Sequence, residues 1–126
     1  NGKKGSIINI SSMAALCPHP YMATYLASKA GLYHYSLAMA AELRHKGVYI
    51  LTACPGPTDT DLINKNDLSY PKAKVAEVAN DIVQAYDQKR EVVITNRFYK
   101  MLHFLSLLMP KFCKIRSIAR IMEKRS

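Results

Sequence analysis

The stretch VYILTACPGP, residues 48–57, begins as an apolar run with several β-branched residues and ends in a Pro-Gly-Pro turn. Such a run is typical of a strand that is covered on both faces, as in a parallel sheet. Upstream, SIINIS at residues 6–11 has the same character, and downstream EVVIT at residues 91–95 repeats it. We therefore predict three buried strands.

Two helices are predicted between these strands. Residues 22–44 are rich in Ala, Leu and Met, and the Lys46-Gly47 pair stops this helix, as glycine commonly does. Residues 72–88 follow Pro71 and carry one apolar face. Because strands and helices alternate, the pattern favours an α/β fold with a parallel sheet. The members of the apolar face are Val75, Val78, Ala79, Ile82, Val83 and Tyr86.

Composition favours a globular protein, since 49% of the 126 residues are hydrophobic and 21% are charged. The three cysteines, Cys17, Cys54 and Cys113, have no paired spacing, and no Cys/His cluster has the spacing of a metal site. We interpret them as free thiols in a reducing cytoplasm. No metal site is predicted.

The net charge of +9 is concentrated in the C-terminal residues 97–126, which hold eight basic residues against one acidic residue. We divide the chain into residues 1–96, part of a catalytic domain, and residues 97–126, a basic and apolar extension. Pro110 separates two helical segments in this extension. The basic residues are Arg97, Lys100, Lys111, Lys114, Arg116, Arg120, Lys124 and Arg125.

Three interpretations of the extension are compared. The favoured one is a helix beside the substrate cleft, with its lysines in water. The second is an amphipathic helix that lies on anionic lipid, because the apolar run is too short and too interrupted by Lys100 and His103 to span a membrane. Nucleic-acid binding is the third interpretation. The sequence has no nucleic-acid recognition motif, so no nucleic-acid partner is expected. The protein is expected in the cytoplasm, with peripheral membrane association as the alternative.

Polar residues follow the first two strands at the point where each strand ends. Ser12 comes after the first strand, and residues 55–60 come after the second. Tyr25 and Lys29 lie near the start of the intervening helix, four positions apart and so on one helix face. Ligands of open α/β sheets bind beyond the carboxyl ends of the strands, so these side chains are expected to share one cleft. Asn9, within the first strand, is interpreted as a contact to a neighbouring loop.

The side chains of this predicted cleft suit acid–base chemistry. The pKa of a free phenol is about 10, and a neighbouring ammonium group lowers it towards neutral pH. A tyrosine beside a lysine can therefore exchange a proton with a carbonyl or alcohol oxygen. A serine hydroxyl in the same cleft can hold and polarise that oxygen.

The three segments NISS, YLASKAG and CPGPTDT, taken in order, resemble the catalytic half of the short-chain dehydrogenase/reductase family. The resemblance implies that Tyr25 is the catalytic acid/base and that Lys29 activates it and contacts the nicotinamide ribose. It also implies that Ser12, thirteen positions before Tyr25, orients the substrate. The residues implied on the nicotinamide side are Pro55, Gly56, Thr58 and Thr60. Both threonines could also cap a short helix expected near residues 61–64, and the two roles are compatible.

The resemblance also sets expectations for the whole molecule. It implies a Rossmann-like doubly wound parallel sheet, of which this chain holds the C-terminal part of a larger domain. The family's glycine-rich phosphate loop does not occur in the sequence, so we expect the cofactor, NAD or NADP, to be held partly elsewhere, and this piece alone to be inactive. The expected substrate is a small carbonyl compound or alcohol. The competing interpretation is a non-catalytic association module that docks through its basic extension.

A homo-oligomer is also implied, because the helix after the first strand packs against a second subunit in the resembled family. In this sequence that helix carries an apolar stripe, which is interpreted as core or subunit interface. The stripe consists of Leu32, Tyr35, Met39 and Leu43.

Overall fold

The computed structural model describes residues 4–17, 19–60 and 71–110, together with residues 113, 116 and 120. Strands and helices alternate along these residues, as the sequence predicts. The elements are strand β1 (Gly5–Ile10), helix α1 (Ala23–Leu43), strand β2 (Val48–Cys54), helix α2 (Val75–Asp87), strand β3 (Val92–Ile94) and helix α3 (Arg97–Leu107).

The three strands form one parallel sheet in the order β1-β2-β3, so β2 is central. Gly5 pairs with Val48 at one end of the β1–β2 ladder, and Ile10 pairs with Ala53 at the other. The β2–β3 ladder is shorter and ends at the pair Cys54–Ile94. The predicted parallel sheet is confirmed, and it brings the carboxyl ends of β1 and β2 to one edge.

Helix α1 ends where the sequence predicts. Its last turn tightens into a short 3-10 helix at Arg44–Lys46, and Gly47 follows with φ 73°, a left-handed conformation that glycine adopts without strain. The Gly47 N–H donates to the Arg44 carbonyl at 3.1 Å, which satisfies a carbonyl at the helix end. This stop returns the chain directly into β2.

The two crossover helices cover opposite faces of the sheet. On one face, Asn9 Nδ2 of β1 donates to Ser36 Oγ of α1 at 2.8 Å. On the other, the hydroxyls of Ser6 in β1 and Tyr86 in α2 lie 3.2 Å apart. Because neighbouring side chains of a strand point to opposite faces, α1 and α2 must flank the sheet, as in a doubly wound fold. The interpretation of Asn9 as a loop contact was wrong, since its partner is a helix residue.

The buried core is centred on β2 and on the face that α2 covers. Burial of these side chains is the main source of stability for this layer. Three members of the predicted apolar face of α2, Val75, Ala79 and Val83, are exposed, so this part of the prediction was wrong. The other three members, Val78, Ile82 and Tyr86, are buried or half-buried. The central cluster consists of Leu51, Ala53, Ala85 and Val93, with Tyr49, Ile82 and Tyr86 packed against it.

Strand β1 differs from the prediction of three strands covered on both faces. Ile7, Ile8 and Ile10 are all exposed. Within the described residues β1 has one neighbouring strand, and the α2 core cluster lies over β2 and β3. The prediction that a strand is covered on both faces is confirmed for β2 and wrong for β1.

Helix α3 is the first of the two helical segments predicted in the extension. Asn96 caps it, because its side chain accepts a hydrogen bond from the Phe98 N–H at 2.9 Å. Most of the second predicted segment, and the short helix expected near residues 61–64, lie outside the described residues. Among the helices that the structure describes, none combines the length and apolar character that crossing a membrane requires.

Candidate active site

The carboxyl ends of β1 and β2 are joined beyond the sheet ladder itself. The Ser11 N–H donates to the Ala53 carbonyl at 2.8 Å, and the Met13 N–H donates to the Pro55 carbonyl at 2.9 Å. Ser12 lies between these two bonds. The backbone therefore holds Ser12 beside the turn that follows β2, as predicted from the positions of the strand ends.

Ser12 and Ser11 use their hydroxyls differently. Ser12 is the N-cap of the short 3-10 helix Met13–Leu16, and its Oγ accepts from the Ala14 N–H at 3.1 Å. Capping occupies a lone pair of the oxygen, so the O–H can still donate to a ligand. Ser11 is buried and its Oγ donates to the Lys29 carbonyl at 2.8 Å. Of the two serines, Ser12 is thus the one with a hydroxyl proton to offer.

Tyr25 and Lys29 occupy the first two turns of α1 on one helix face. Lys29 Nζ lies 5.9 Å from the centroid of the Tyr25 ring. The same ammonium group donates to the carbonyl of Ile10, the last residue of β1, at 3.2 Å. Lys29 therefore connects the start of α1 to the end of β1, near Ser12, while Tyr25 stays 42% exposed and accessible to a ligand.

The turn after β2 is held in place from two sides. Thr58 forms an isolated parallel bridge with Ala73, whose N–H donates to the Pro57 carbonyl at 2.9 Å. Thr58 Oγ1 donates to the Gly56 carbonyl at 3.0 Å, and Thr60 Oγ1 donates to the Thr58 carbonyl at 3.4 Å. The helix that these threonines were expected to cap lies outside the described residues.

Gly56 is required by a contact that the sequence did not reveal. A Cβ atom at this position would lie 2.6 Å from Cδ2 of Tyr99, which is closer than carbon atoms approach in folded proteins. Tyr99 belongs to α3, is buried, and donates its hydroxyl to the Pro71 carbonyl at 2.7 Å. Helix α3 therefore lies against the turn after β2. Its predicted role beside a substrate cleft stays a prediction.

A buried thiol lies at the end of β2, beside Ser12. Cys54, the last residue of β2, is fully buried, and this burial raises the pKa of its thiol to about 11, although a hydrogen bond with the Ser12 backbone opposes the shift. Burial also raises the pKa of Tyr33 on α1, and the neighbouring Cys54 adds to the effect. The sequence analysis treated Cys54 only as a free thiol. Its position at the end of a strand predicted to be buried was the signal in the sequence for this burial.

A second residue that the sequence analysis passed over is His19, in the loop between Ser12 and Tyr25. Burial lowers the pKa of its imidazole, although a backbone hydrogen bond with Cys17 opposes the change. Burial therefore favours the neutral form of a histidine in the loop that joins the two predicted catalytic segments. Across the part of the chain that the structure describes, no group of three or more His, Cys, Asp or Glu side chains could hold a metal ion.

Together these contacts bring the ends of β1, β2 and the first turns of α1 to one rim. The rim offers a serine hydroxyl, an accessible phenol, an ammonium group and a glycine-containing turn. An ammonium group and hydroxyls can hold the ribose and carboxamide of a nicotinamide nucleotide, so the donor set fits such a cofactor. The catalytic and cofactor roles of the individual residues stay predictions.

Comparisons with known proteins relate this chain to one family. The sequence model of the family described as short chain dehydrogenase matches residues 1–71. Alcohol dehydrogenase 1 of Ceratitis capitata is 36% identical over 94 residues, which are 73% of this chain and 37% of that protein. The 15-hydroxyprostaglandin dehydrogenase [NAD(+)] of Mus musculus is 34% identical over 104 residues, 81% of this chain and 35% of the mouse enzyme.

Solved structures of short-chain dehydrogenases are also similar to this chain. A short chain dehydrogenase from Burkholderia cenocepacia J2315, in complex with NADP, superposes with a TM-score of 0.73 at 27% identity, over 82% of this chain and 43% of that chain. A short-chain dehydrogenase from Sphingobium yanoikuyae, in complex with NADPH, gives a TM-score of 0.65 at 26% identity, over 71% and 36% of the two chains. The Rossmann-like expectation is confirmed by these neighbours.

The chain spans little more than a third of the length of these curated relatives. Within that span, the family match covers more than half of the chain and includes Ser12, Tyr25, Lys29 and the turn after β2. The chain belongs to the short-chain dehydrogenase family.

Proposed function

We propose that this chain supplies the acid–base part of an oxidoreductase that interconverts a carbonyl compound and an alcohol with a nicotinamide dinucleotide. The observation that carries the proposal is the placement of Lys29, whose ammonium group lies beside the Tyr25 ring and also binds the end of β1 next to Ser12. Relatives that are named alcohol and hydroxyprostaglandin dehydrogenases support the same class of reaction.

In the proposed reduction, Ser12 donates a hydrogen bond to the carbonyl oxygen and holds it towards Tyr25. A bound NADH or NADPH supplies the hydride that the carbonyl carbon accepts. The Tyr25 hydroxyl gives its proton to the oxygen as the alcohol forms, and the Lys29 ammonium stabilises the phenolate that is left. In the oxidation the proton returns from the alcohol to Tyr25.

Lys29 and the turn after β2 are the proposed cofactor contacts on this chain. Lys29 would donate to the ribose hydroxyls, while Pro55, Gly56, Thr58 and Thr60 would line the nicotinamide side. Solved neighbours in complex with NADP and NADPH support this class of cofactor. The dinucleotide phosphates need a glycine-rich turn that this sequence does not contain, so we propose that this chain has no turnover by itself.

We also propose self-association through α1. Tyr35 of the predicted stripe is 61% exposed, whereas Leu32, Met39 and Leu43 are half-buried. An exposed aromatic ring at the centre of a long helix suits an interface. The favoured surface for a second copy is therefore the outer side of α1.

The experiment is a turnover assay of the full-length protein with a panel of secondary alcohols and both NAD⁺ and NADP⁺. We expect Tyr25→Phe to lower kcat by about 10²–10⁴-fold, the usual share of general acid–base catalysis, with little change in the Kd of the dinucleotide. Tyr21→Phe is the matched control, because Tyr21 lies four positions earlier, in the turn before α1, and is 86% exposed. Full turnover in Tyr25→Phe, or an equal loss in the control, would refute the assignment.

A further inference from the structure

Helix α3 packs on the body of the protein through its more polar side. Tyr99 is 7% exposed, and His103 and Ser106 are half-buried. These positions are four and three residues apart, so they lie on one face of the helix. The Tyr99 hydroxyl donates to the Pro71 carbonyl at 2.7 Å, which anchors this face beside the turn after β2.

The opposite side of α3 is apolar and points away from the protein. Phe104 is 69% exposed and Leu108, just beyond the helix, is 78% exposed, whereas a helix of a globular protein normally turns such residues inward. A contiguous exposed apolar surface of this kind marks an interaction site. We call this surface the outer face of α3. It consists of Met101, Phe104, Leu105 and Leu108.

Positive charge lies at the N-terminal end of the outer face. Arg97 and Lys100 are exposed, and together with Met101, Phe104 and Leu105 they line a surface groove of about 490 Å³, to which Ile94 and His103 also contribute. Arg116 and Arg120 are also exposed among the described residues that follow. Over residues 97–126 the sequence has eight basic residues and one acidic residue. The surface therefore combines exposed apolar side chains with a strong excess of one charge.

We propose that α3 docks on the surface of a membrane that contains anionic phospholipid. The outer face would enter the boundary between head groups and acyl chains, and Arg97 and Lys100 would bind lipid phosphates. At 11 residues α3 is about 16 Å long, which suits a helix lying in the membrane plane. This inference is independent of the proposed chemistry of Tyr25.

Two other occupants of the outer face are less well matched. A second copy of this chain would bring two extensions of net positive charge together, and their repulsion opposes the contact. A nucleic acid would satisfy the charge but would leave Phe104 and Leu108 without a role, since phosphate contacts need no apolar surface. An anionic bilayer satisfies both the apolar side chains and the charge.

The test is co-sedimentation of the 126-residue chain with vesicles of phosphatidylcholine, alone or with about one third phosphatidylglycerol. We expect binding only to the anionic vesicles, and a loss of at least about tenfold between roughly 0.05 M and 0.5 M NaCl, because salt screens the attraction. Equal binding to both vesicles, binding that salt does not weaken, or no binding to either would overturn the proposal.

Matched variants distinguish binding through the outer face from non-specific hydrophobic binding. Phe104→Asn with Leu108→Asn should lower vesicle affinity by about tenfold or more, because the inserted side chains are removed. Val75→Asn with Val83→Asn is the control, since both valines are exposed on α2, and it should bind like the parent. An equal loss in the two pairs would overturn the proposal, and circular dichroism would verify that each variant folds.

Charge can be tested in the same way. Arg97→Gln with Lys100→Gln removes two positive charges at the outer face, and Lys46→Gln with Lys74→Gln removes two exposed charges elsewhere. We expect the first pair to weaken binding several-fold more than the second. Equal effects would mean that only the total charge matters, which would contradict docking through α3.

A fluorescence probe reports directly whether the outer face inserts into the bilayer. The chain contains no tryptophan, so Phe104→Trp introduces a single reporter on the outer face. Its emission should shift to shorter wavelength on anionic vesicles and be quenched by brominated lipid, whereas Val83→Trp should show neither effect. Unchanged Phe104→Trp emission on saturating vesicles would contradict insertion.

Discussion

Strands β1 and β2 have similar apolar sequences and very different surroundings. Leu51 in β2 is 0% exposed, whereas Ile8, its neighbour in β1, is 42% exposed. Strand β2 has a strand on each side and a helix on each face, while β1 is the edge of the described sheet. Burial therefore depends on the neighbours that a strand acquires, and an apolar run alone does not determine it.

The difference divides the molecule into two regions. The packed region consists of β2, β3 and α2, where the buried cluster lies, and the open region consists of β1 and the outer side of α1, where most side chains stay exposed. The candidate site lies on the border between them, since the β1 end and α1 supply Ser12, Tyr25 and Lys29 and the packed region supplies the turn after β2. The open region thus carries the predicted chemistry, and the packed region holds it in place.

The largest expected difference is between core substitutions in the two strands. Leu51→Ala should lower the free energy of unfolding of the 126-residue chain by about 2–5 kcal/mol, because it leaves a cavity in the core. Ile8→Ala should cost only about 1–1.5 kcal/mol, since part of the side chain is already in water. Urea denaturation followed by circular dichroism measures both. Equal losses would show that β1 is as well covered as β2.

A smaller effect is expected from the buried thiol of the packed region. Because burial raises the pKa of Cys54 from 9.0 to about 11, the unfolded chain loses this proton first as the pH rises. The stability that the neutral buried thiol contributes is therefore fully present below pH 9 and is lost as the pH rises from 9 to about 11. The total loss in the free energy of unfolding is at most about 3 kcal/mol.

The measurement compares urea unfolding of the parent chain and Cys54→Ala at several pH values. The variant should be less stable at neutral pH but should lose less stability across the alkaline range. Burial also raises the pKa of Tyr49, with Tyr86 and Glu91 adding to the shift, and that contribution cancels in the difference. Parallel pH profiles for the two proteins would contradict the burial of this thiol.

The smallest expected effects come from two glycines that lie in different regions. Gly56→Ala should destabilise the chain by about 1–3 kcal/mol, because the new methyl group would meet the Tyr99 ring. Gly31→Ala in α1 should instead stabilise it by up to about 1 kcal/mol, since no atom lies within 4 Å of the added carbon and alanine favours a helix. Changes in Tm of opposite sign for the two variants would support the comparison, and changes of the same sign would contradict it.

The parts of the fold that depend on local chemistry were predicted from the sequence. The end of α1 followed from Gly47, whose φ of 73° suits glycine, and the parallel strands followed from their apolar runs separated by helices. The spacing of Tyr25 and Lys29 fixed their shared helix face, because the period of a helix is constant. These features need no knowledge of distant residues.

Features that depend on contacts between distant residues were not predicted. The packing of Tyr99 on Gly56 joins segments with no common pattern, and the hydrogen bond between Asn9 and Ser36 depends on how α1 crosses the sheet. The exposure of β1 was missed because edge and central strands share the same apolar composition. The outer face of α3 was visible only as an apolar and basic sequence, and its direction required the structure.

The most direct test of the account is a crystal structure of the full-length protein with a nicotinamide dinucleotide and a carbonyl substrate analogue. We expect Ser12 Oγ and Tyr25 Oη to lie about 2.6–3.2 Å from the same substrate oxygen, with Lys29 Nζ on the tyrosine side of the cleft. A substrate oxygen bound out of reach of both hydroxyls, or a Tyr25 ring turned away from Ser12 in the complex, would contradict the central claim.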